Sequence, residues 1–561
     1  MKRFLPKISA VPSLVKANWK SGLTVALISV PLSIALSIAA GAGPIPGIIT
    51  GVWATLIASF FGGNNYNVIG AAGALSTILF AATLAAPLGL GAAVLPLIAI
   101  TTGLLILIVW ALSADRFLYY IPESVMYGFA TGVAISIAAG ELFDATGLSF
   151  MKRTGTFLGD IHLYLVHMAE THMTGLLTFV VFFAGILIWK RFIKKLPAVI
   201  PAAVIGVGLG WANTQFLHLD LISLSGKFGG IQGAIFAIPR LDAIPAILSS
   251  ASSLQWLLAT AGTVALVAVL ETLITAKIAD RITRTQSSSR RELFGLALAN
   301  IGSGFMGGLP ATGVFIRTGA NIKAGATHRT SSAVAAISTA VIALIVLPAF
   351  GYIPMAVIAA ILFNTALGLI ETDKFVEYWK HERSSFVIAI LVTLITILHD
   401  AGTGVIVGAG AALLLFANAV SHGRFDAIFN FVDGTKEEVR GKKDLRIPSV
   451  PIQVLTYSIA GTVSYIDAGR HATNLRHAAH AQNVSAVLVR LRDLYLVDHE
   501  GAVMLAEAAL ECERSGKTVY FTSVGDSIRE RIEATEPYAK LSVDDLFAAK
   551  TSVALERLKA A

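Results

Sequence analysis

The chain has 561 residues, 55% of them hydrophobic and only 14% charged, with a formal net charge of +8 and a mean hydropathy of +0.73. Soluble domains carry about 25% charged residues, so these figures exclude a soluble protein and predict an integral membrane protein in a lipid bilayer. The basic excess sits at the ends of apolar runs, which assigns it to membrane topology and not to nucleic-acid binding.

Apolar windows near the length that spans a bilayer as a helix recur at 22–41, 45–61, 68–86, 91–113, 124–143, 174–190, 198–213, 255–276, 293–306, 312–322, 331–350, 353–370, 385–398 and 402–420. Several are short or rich in glycine. Lys2, Arg3, Lys7, Lys16 and Lys20 precede the first window, and Lys190, Arg191, Lys194 and Lys195 follow the sixth. By the positive-inside rule both clusters face the cytoplasm, which predicts a multi-pass protein of the inner cell membrane. The first apolar run is too long for a cleavable signal peptide and leads into further spans.

The composition changes after about Ser421. Residues 1–421 form the predicted transmembrane domain, 422–450 a polar linker with a basic run from Arg440 to Arg446, and 451–561 a small cytoplasmic α/β domain. In that last part Ile452–Ile459, Ala486–Leu491 and Thr518–Thr522 read as strands. Asp467–Ala481 and Glu500–Ser515 read as helices, the second stopped by Gly516. His471, His477 and His480 are read as a solvated helix face, because zinc needs three or four converging ligands and the chain has one cysteine, Cys512. A single cysteine also forbids an intrachain disulfide. No nucleophile–base pair, phosphate-binding loop or metal cluster stands out, so the expectation is a protein that is not an enzyme and uses no cofactor or metal.

The membrane part repeats itself. TVAL opens both Thr24–Ala40 and Thr263–Ala279, an offset of 239 (263 − 24), and FFGG at Phe60–Gly63 answers FMGG at Phe305–Gly308, an offset of 245. Secondary transporters are often built from such repeats, with discontinuous helices meeting at the bilayer midplane. The second offset sets Gly70–Gly73 against Phe315–Thr318. If both stretches begin half-helices, their free N–H groups and positive dipole ends face each other and make an anion site. The small residues Ala72, Gly73 and Ala74 let an anion approach the backbone. Two ionisable residues stand out in this setting: Glu271, alone in GTVALVAVLETLITA, and Arg317, the one deep cation of the glycine- and proline-interrupted stretch Phe305–Gly325. Such residues usually mark a substrate or ion pathway, although the pair also fits a buried ion pair that ties the repeats together.

These features resemble the sulfate permease (SulP) family of anion transporters, which end in a STAS domain. The resemblance rests on GLTVALISVPLSIALSIAAGAGPIPGI from Gly22, YIPESVMYGFATGVAI from Tyr120, LETLITAKIADRIT from Leu270 and GGLPATGVFIRTGANIKAGATH from Gly307, and it runs over essentially the whole chain. It implies an α-helical polytopic fold of about fourteen segments. These form two inverted repeats of seven with two half-helices, arranged as a core and a gate, with a cytoplasmic STAS domain and frequently a homodimer. It implies a small-anion substrate (sulfate, bicarbonate or dicarboxylate) held by the backbone at Ala72, Gly73, Ala74, Phe315 and Ile316 beside Arg317. Glu271, with Thr275 one turn on, takes the coupling-ion position. In sodium-coupled bicarbonate members that acid is an aspartate and a threonine opens the third span; here Glu271 and Ala72 stand there. The missing hydroxyl removes a sodium ligand, which favours a proton over sodium. A sodium-coupled symporter and an uncoupled exchanger or channel are the alternatives. The anti-sigma antagonists' phosphorylatable serine motif is replaced by DHEG, Asp498–Gly501, so a switch by serine phosphorylation is not expected there.

Overall fold

Each of the fourteen apolar windows contains a helix, preceded in the third and tenth by a two-residue strand. The structure is a computed structural model and describes residues 11–113, 121–193, 196–231, 234–239, 244–421, 424–441, 445–542 and 546–560. Lys2, Arg3, Lys7, Lys194 and Lys195, and residues 442–444 of the basic run, lie outside the described residues. Two units divide the chain, Met1–Ala412 and Leu413–Ala561.

The first half of the first unit runs α1 (Val11–Ala39), α2 (Pro44–Phe61), β1 (Ile69–Gly70), α3 (Gly73–Leu84), α4 (Leu95–Ala111), α5 (Glu123–Ala145), α6 (Phe157–His167), α7 (Met173–Phe192), α8 (Val199–Ala212), α9 (Leu224–Phe228) and α10 (Ile244–Ser249). The second half runs α11 (Ala251–Thr283), α12 (Ser289–Phe305), β2 (Thr312–Gly313), α13 (Phe315–Lys323), α14 (Thr330–Phe350), α15 (Met355–Leu367), α16 (Thr372–His381), α17 (Arg383–Leu398) and α18 (Ala401–Ser421). Ten helices among the described residues are long and apolar enough to cross a membrane. By contrast α3 has 12 residues and α13 only 9, so each reaches about halfway across at 1.5 Å per residue.

The packing repeats across the halves. α1 lies on α14 as α11 lies on α4, and α12 lies on α4 as α2 lies on α14. These six helices and the half-helices α3 and α13 make one group of eight. α5 packs instead on α17 and α15, and α15 on α7, making a second group. Small residues set the contacts, as expected where lipid provides no hydrophobic drive between helices. A Cβ on Gly103 of α4 would stand 2.6 Å from the Ala297 carbonyl of α12, and one on Gly128 of α5 would collide with the Ala389 carbonyl of α17.

The second unit is a six-stranded sheet in the order β4-β3-β5-β6-β7-β8. β3 (Arg424–Phe431) pairs antiparallel with both β4 (Lys436–Gly441) and β5 (Ile452–Val463). β6 (Val484–Val497), β7 (Thr518–Thr522) and β8 (Phe547–Ala548) continue in parallel. Helices α19 (Ala468–His480), α20 (His499–Arg514), α21 (Asp526–Glu533) and α22 (Thr551–Ala560) complete it. The three expected strands and two expected helices are present, a pattern that fits a small α/β domain of the STAS type. The stretch 422–450, expected as a linker, instead supplies β3 and β4. Its signal is a two-residue alternation: Phe425, Ala427 and Phe429 are buried while their neighbours Asp426 and Ile428 are not, the pattern of a strand with one core face.

Two local expectations in this unit resolve differently. His471 does not share a solvated face with His477 and His480. It is fully buried, with Nδ1 2.8 Å from the Tyr457 hydroxyl and Nε2 3.3 Å from Asp467 Oδ2. His480 is exposed and bonds Glu511. In DHEG, the Asp498 carboxylate caps α20, accepting from Gly501 N at 2.8 Å and from Tyr465 N at 2.9 Å. A carboxylate thus supplies the helix-start acceptor there.

Candidate functional site

α3 and α13 begin side by side because the short strands that lead into them, β1 and β2, pair. Ile69 opposes Gly313 and Gly70 opposes Thr312 in an antiparallel ladder. Val314 N, donating to Val68 O at 2.9 Å, extends it. The helix starts at Gly73 and Phe315 are 242 residues apart (315 − 73), so the offset of 245 sets the halves against each other three residues out of step. Ala72 and Val314 are the cap residues, and neither helix start is capped by a side chain. Ala72, Gly73 and Ala74 are buried; Phe315 is exposed and Ile316 half-buried. The structure therefore gathers all five backbone positions at one place, with unfilled N–H groups and positive helix ends.

Arg317 stands in the first turn of α13 and is fully buried. Nη2 donates to Ser33 Oγ of α1 at 3.0 Å. Nε and Nη1 have no hydrogen-bond partner. Glu271, on α11, does not supply one: its own Oε2 is buried and unpartnered, and the Thr312 hydroxyl of β2 stands beside the carboxyl. The tying ion pair that the sequence allowed is not formed. Thr275, set beside Glu271 as a coupling-ion residue, gives its hydroxyl to the Gly313 carbonyl at 3.2 Å and so holds β2 in place. Thr272 does the same from the other side, accepting from Gly313 N at 2.8 Å.

The turn before β1 is held by the opposite half of the chain. Glu292, at the start of α12, is buried. Its Oε2 accepts from Gly63 N at 2.6 Å and Asn64 N at 2.7 Å, and Oε1 accepts from Asn67 Nδ2 at 2.8 Å. Thr318 of α13 donates to Asn67 Oδ1 and accepts from Val68 N, both at 3.0 Å.

A cavity of about 320 Å³ lies between α3, α5, α6, α11 and α17. None of the eight sequence-predicted positions lines it. Ile137 of α5 does, and its Cδ1 is 3.5 Å from where a Cβ on Gly73 would be. An aliphatic side chain of the cavity wall thus packs against the start of α3.

Ser33, Gly70, Thr272 and Thr312 are site residues that the sequence reading missed. A signal existed for two of them: the offset of 239 that aligns TVAL also aligns Ser33 with Thr272 (272 − 33), one hydroxyl per repeat. Gly70 leaves the room that Arg317 occupies, since a Cβ there would meet Arg317 Nη1. That atom ends a long flexible side chain and can be pushed aside cheaply. Gly70→Ala is therefore expected to leave the melting temperature nearly unchanged while weakening anion binding several-fold. Parallel thermal melts and anion titrations check this; an unchanged affinity would detach Gly70 from the site.

Known proteins resemble the whole arrangement. The model of the sulfate permease family matches residues 16–392. A bicarbonate transporter, BicA of Synechocystis sp., is 24% identical over 527 residues, 92% of this chain and 90% of that one. The chloroplastic sulfate transporter 4.1 of Arabidopsis thaliana is 27% identical over 419 residues, 71% of this chain and 58% of that one. Among solved structures, the murine Slc26a9 anion transporter in its inward-facing state superposes with a TM-score of 0.81 at 15% identity, covering 100% of this chain and 94% of that one, a likeness of fold.

Proposed function

The chain belongs to the sulfate permease family, and from that premise we propose that it is a secondary active transporter of small anions of the sulfate, bicarbonate or dicarboxylate class, coupled to protons and working by alternating access. The observation that carries this reading is Arg317, a fully buried guanidinium with two nitrogens lacking a partner. Leaving one charge of a buried pair uncompensated costs about 3–5 kcal/mol, and buried donors are nearly always satisfied. An anion between the starts of α3 and α13 would complete Arg317 and meet the free N–H groups of both helices. Backbone amides read charge and size far more than identity, which suits a family whose relatives carry both bicarbonate and sulfate in their names.

Glu271 is the proton carrier in this reading. Its Oε2 is buried without a partner while the Thr312 hydroxyl stands beside the carboxyl, and a glutamate takes one proton without building a metal shell. Ala72 offers no oxygen beyond its backbone. The α5 group is the gate that moves against the α1–α4 and α11–α14 group, carrying Ile137 across the helix starts. The protein lies in the inner membrane with the N-terminus and the α/β unit in the cytoplasm, and assembles as a homodimer.

Proteoliposomes test the proposal. An inward proton gradient should accelerate uptake of labelled sulfate, bicarbonate or a dicarboxylate. Replacing sodium by choline at fixed pH should leave the rate within experimental scatter. No flux of any anion in the panel by folded protein would end the transport reading. A steep, saturable sodium dependence would replace the proton by sodium.

A further inference from the structure

Three buried side-chain oxygens without a partner line the 320 Å³ cavity together: Thr77 Oγ1 on α3, Glu141 Oε2 on α5 and Thr396 Oγ1 on α17. Glu141 is the unexpected one. It is 3% exposed, lies in the helix group opposite to that of Glu271, and stands outside the anion site just described. The cations around it are engaged elsewhere. Arg153, from the α5–α6 connection, bonds Asp160 at 3.0 Å and stacks on the Phe80 ring at 4.2 Å. Lys227 of α9 holds Asp144 at 2.7 Å.

We propose that Glu141 is a second proton-binding station, loaded from the cavity and separate from Glu271. The Oε2 of Glu141 has no partner within the protein and belongs to a residue of the cavity wall, which leaves the carboxyl open to a proton delivered from the cavity. The unpartnered hydroxyls of Thr77 and Thr396 on neighbouring walls suit a cavity that holds water, which gives the proton its path. A hard metal ion is the poorer occupant, because it needs several oxygens and no group of three or more His, Cys, Asp or Glu among the described residues could hold one.

The charges facing this carboxyl give the proton a task. Arg153 and Asp160 come to the cavity wall from the connection and α6, and His399 and Asp400 from the α17–α18 turn, while the Asp144–Lys227 pair of α5 and α9 stands near Glu141 outside that wall. α1, α3 and α11 bring no ionisable side chain to the cavity wall, and Thr263, the cavity residue of α11 nearest in sequence to Glu271, is eight residues, or about 12 Å, short of it. With Glu141 charged, the cavity wall carries three carboxylates, Glu141, Asp160 and Asp400, against one guanidinium, Arg153, a field that repels an incoming anion. Protonation removes one negative charge and opens the cavity to the substrate. Proton and anion are then admitted by the same event at the cavity, before either reaches Arg317 or Glu271.

Two measurements on the full-length protein in vesicles test this; only the first rests on the proton-coupled reading. In the pH–rate profile of anion uptake, Glu141→Gln should lose one inflection and hold its acid-side rate into alkaline buffer, with gradient-driven accumulation retained. Glu141→Asp should keep the inflection at a displaced pH. In infrared difference spectra between acid and alkaline buffer, a carboxylic-acid carbonyl band present in the parent and in Glu271→Gln should vanish in Glu141→Gln and move in Glu141→Asp. A pH profile unchanged in Glu141→Gln, or the same infrared band set in all variants, would overturn the proposal. The infrared result does so even for a protein that transports nothing.

Discussion

Arg317→Ala should weaken anion binding by roughly ten- to a hundredfold, since a hydrogen bond to a charged group contributes about 1.5–3 kcal/mol and each 1.4 kcal/mol is tenfold in affinity. The helix ends that remain supply only about half an elementary charge each. Arg317→Lys restores the charge but not the planar fork, so it should recover part of the loss. The anion-free protein should respond in the opposite direction. Removing a buried charge that only Ser33 satisfies relieves an uncompensated cost, so the melting temperature without anion should hold or rise, and its increase on adding sulfate or bicarbonate should disappear. Calorimetric titration and melts with and without anion measure both. Wild-type affinity in Arg317→Ala would mean that the anion does not sit between α3 and α13.

The second large effect concerns drive and not affinity. Glu271→Gln keeps the shape of the side chain, and neither Thr275 nor Thr272 depends on it, since both are committed to Gly313. The site should therefore still bind anion and exchange it across the membrane. An amide cannot take up and release a proton, so accumulation against a concentration gradient under an imposed pH gradient should fall to the level of empty liposomes. Accumulation and counterflow are measured on the same vesicles. If Glu271→Gln still accumulates anion at the parental rate, the proton travels elsewhere.

The helices were legible because apolar runs of bilayer length are a composition signal that no local context disguises. The backbone positions at Gly73 and Phe315 were legible for a related reason: glycine and small residues interrupting such a run mark where a helix breaks. What joins them was not. β1 and β2 are two residues each, too short to show an alternation, and their pairing spans more than two hundred positions. The repeat offset drifts from 239 at TVAL to 242 at the half-helices, since loops of the two halves differ in length, so register read from one match misplaces the next. β3 and β4 were hidden by β4, whose exposed edge reads as polar linker. His471 looked like its exposed neighbours because its partner Tyr457 comes from β5, 14 residues earlier. Glu141, near the end of the apolar window 124–143, carried only the general signal of a charge in such a run, because the cavity that gives it meaning is assembled from five helices.

The bonds that Glu292 and Thr318 make to the Gly63–Val68 turn also order events in time. They join residues 225 to 251 positions apart, and at roughly 5–20 residues per second of synthesis the ribosome needs on the order of ten seconds or more to pass from one partner to the other. Until then the lead into α3 has backbone donors with no acceptor and β1 has no strand to pair with. The nascent first half thus waits in the membrane unfinished, and both halves of the site are completed in one late step.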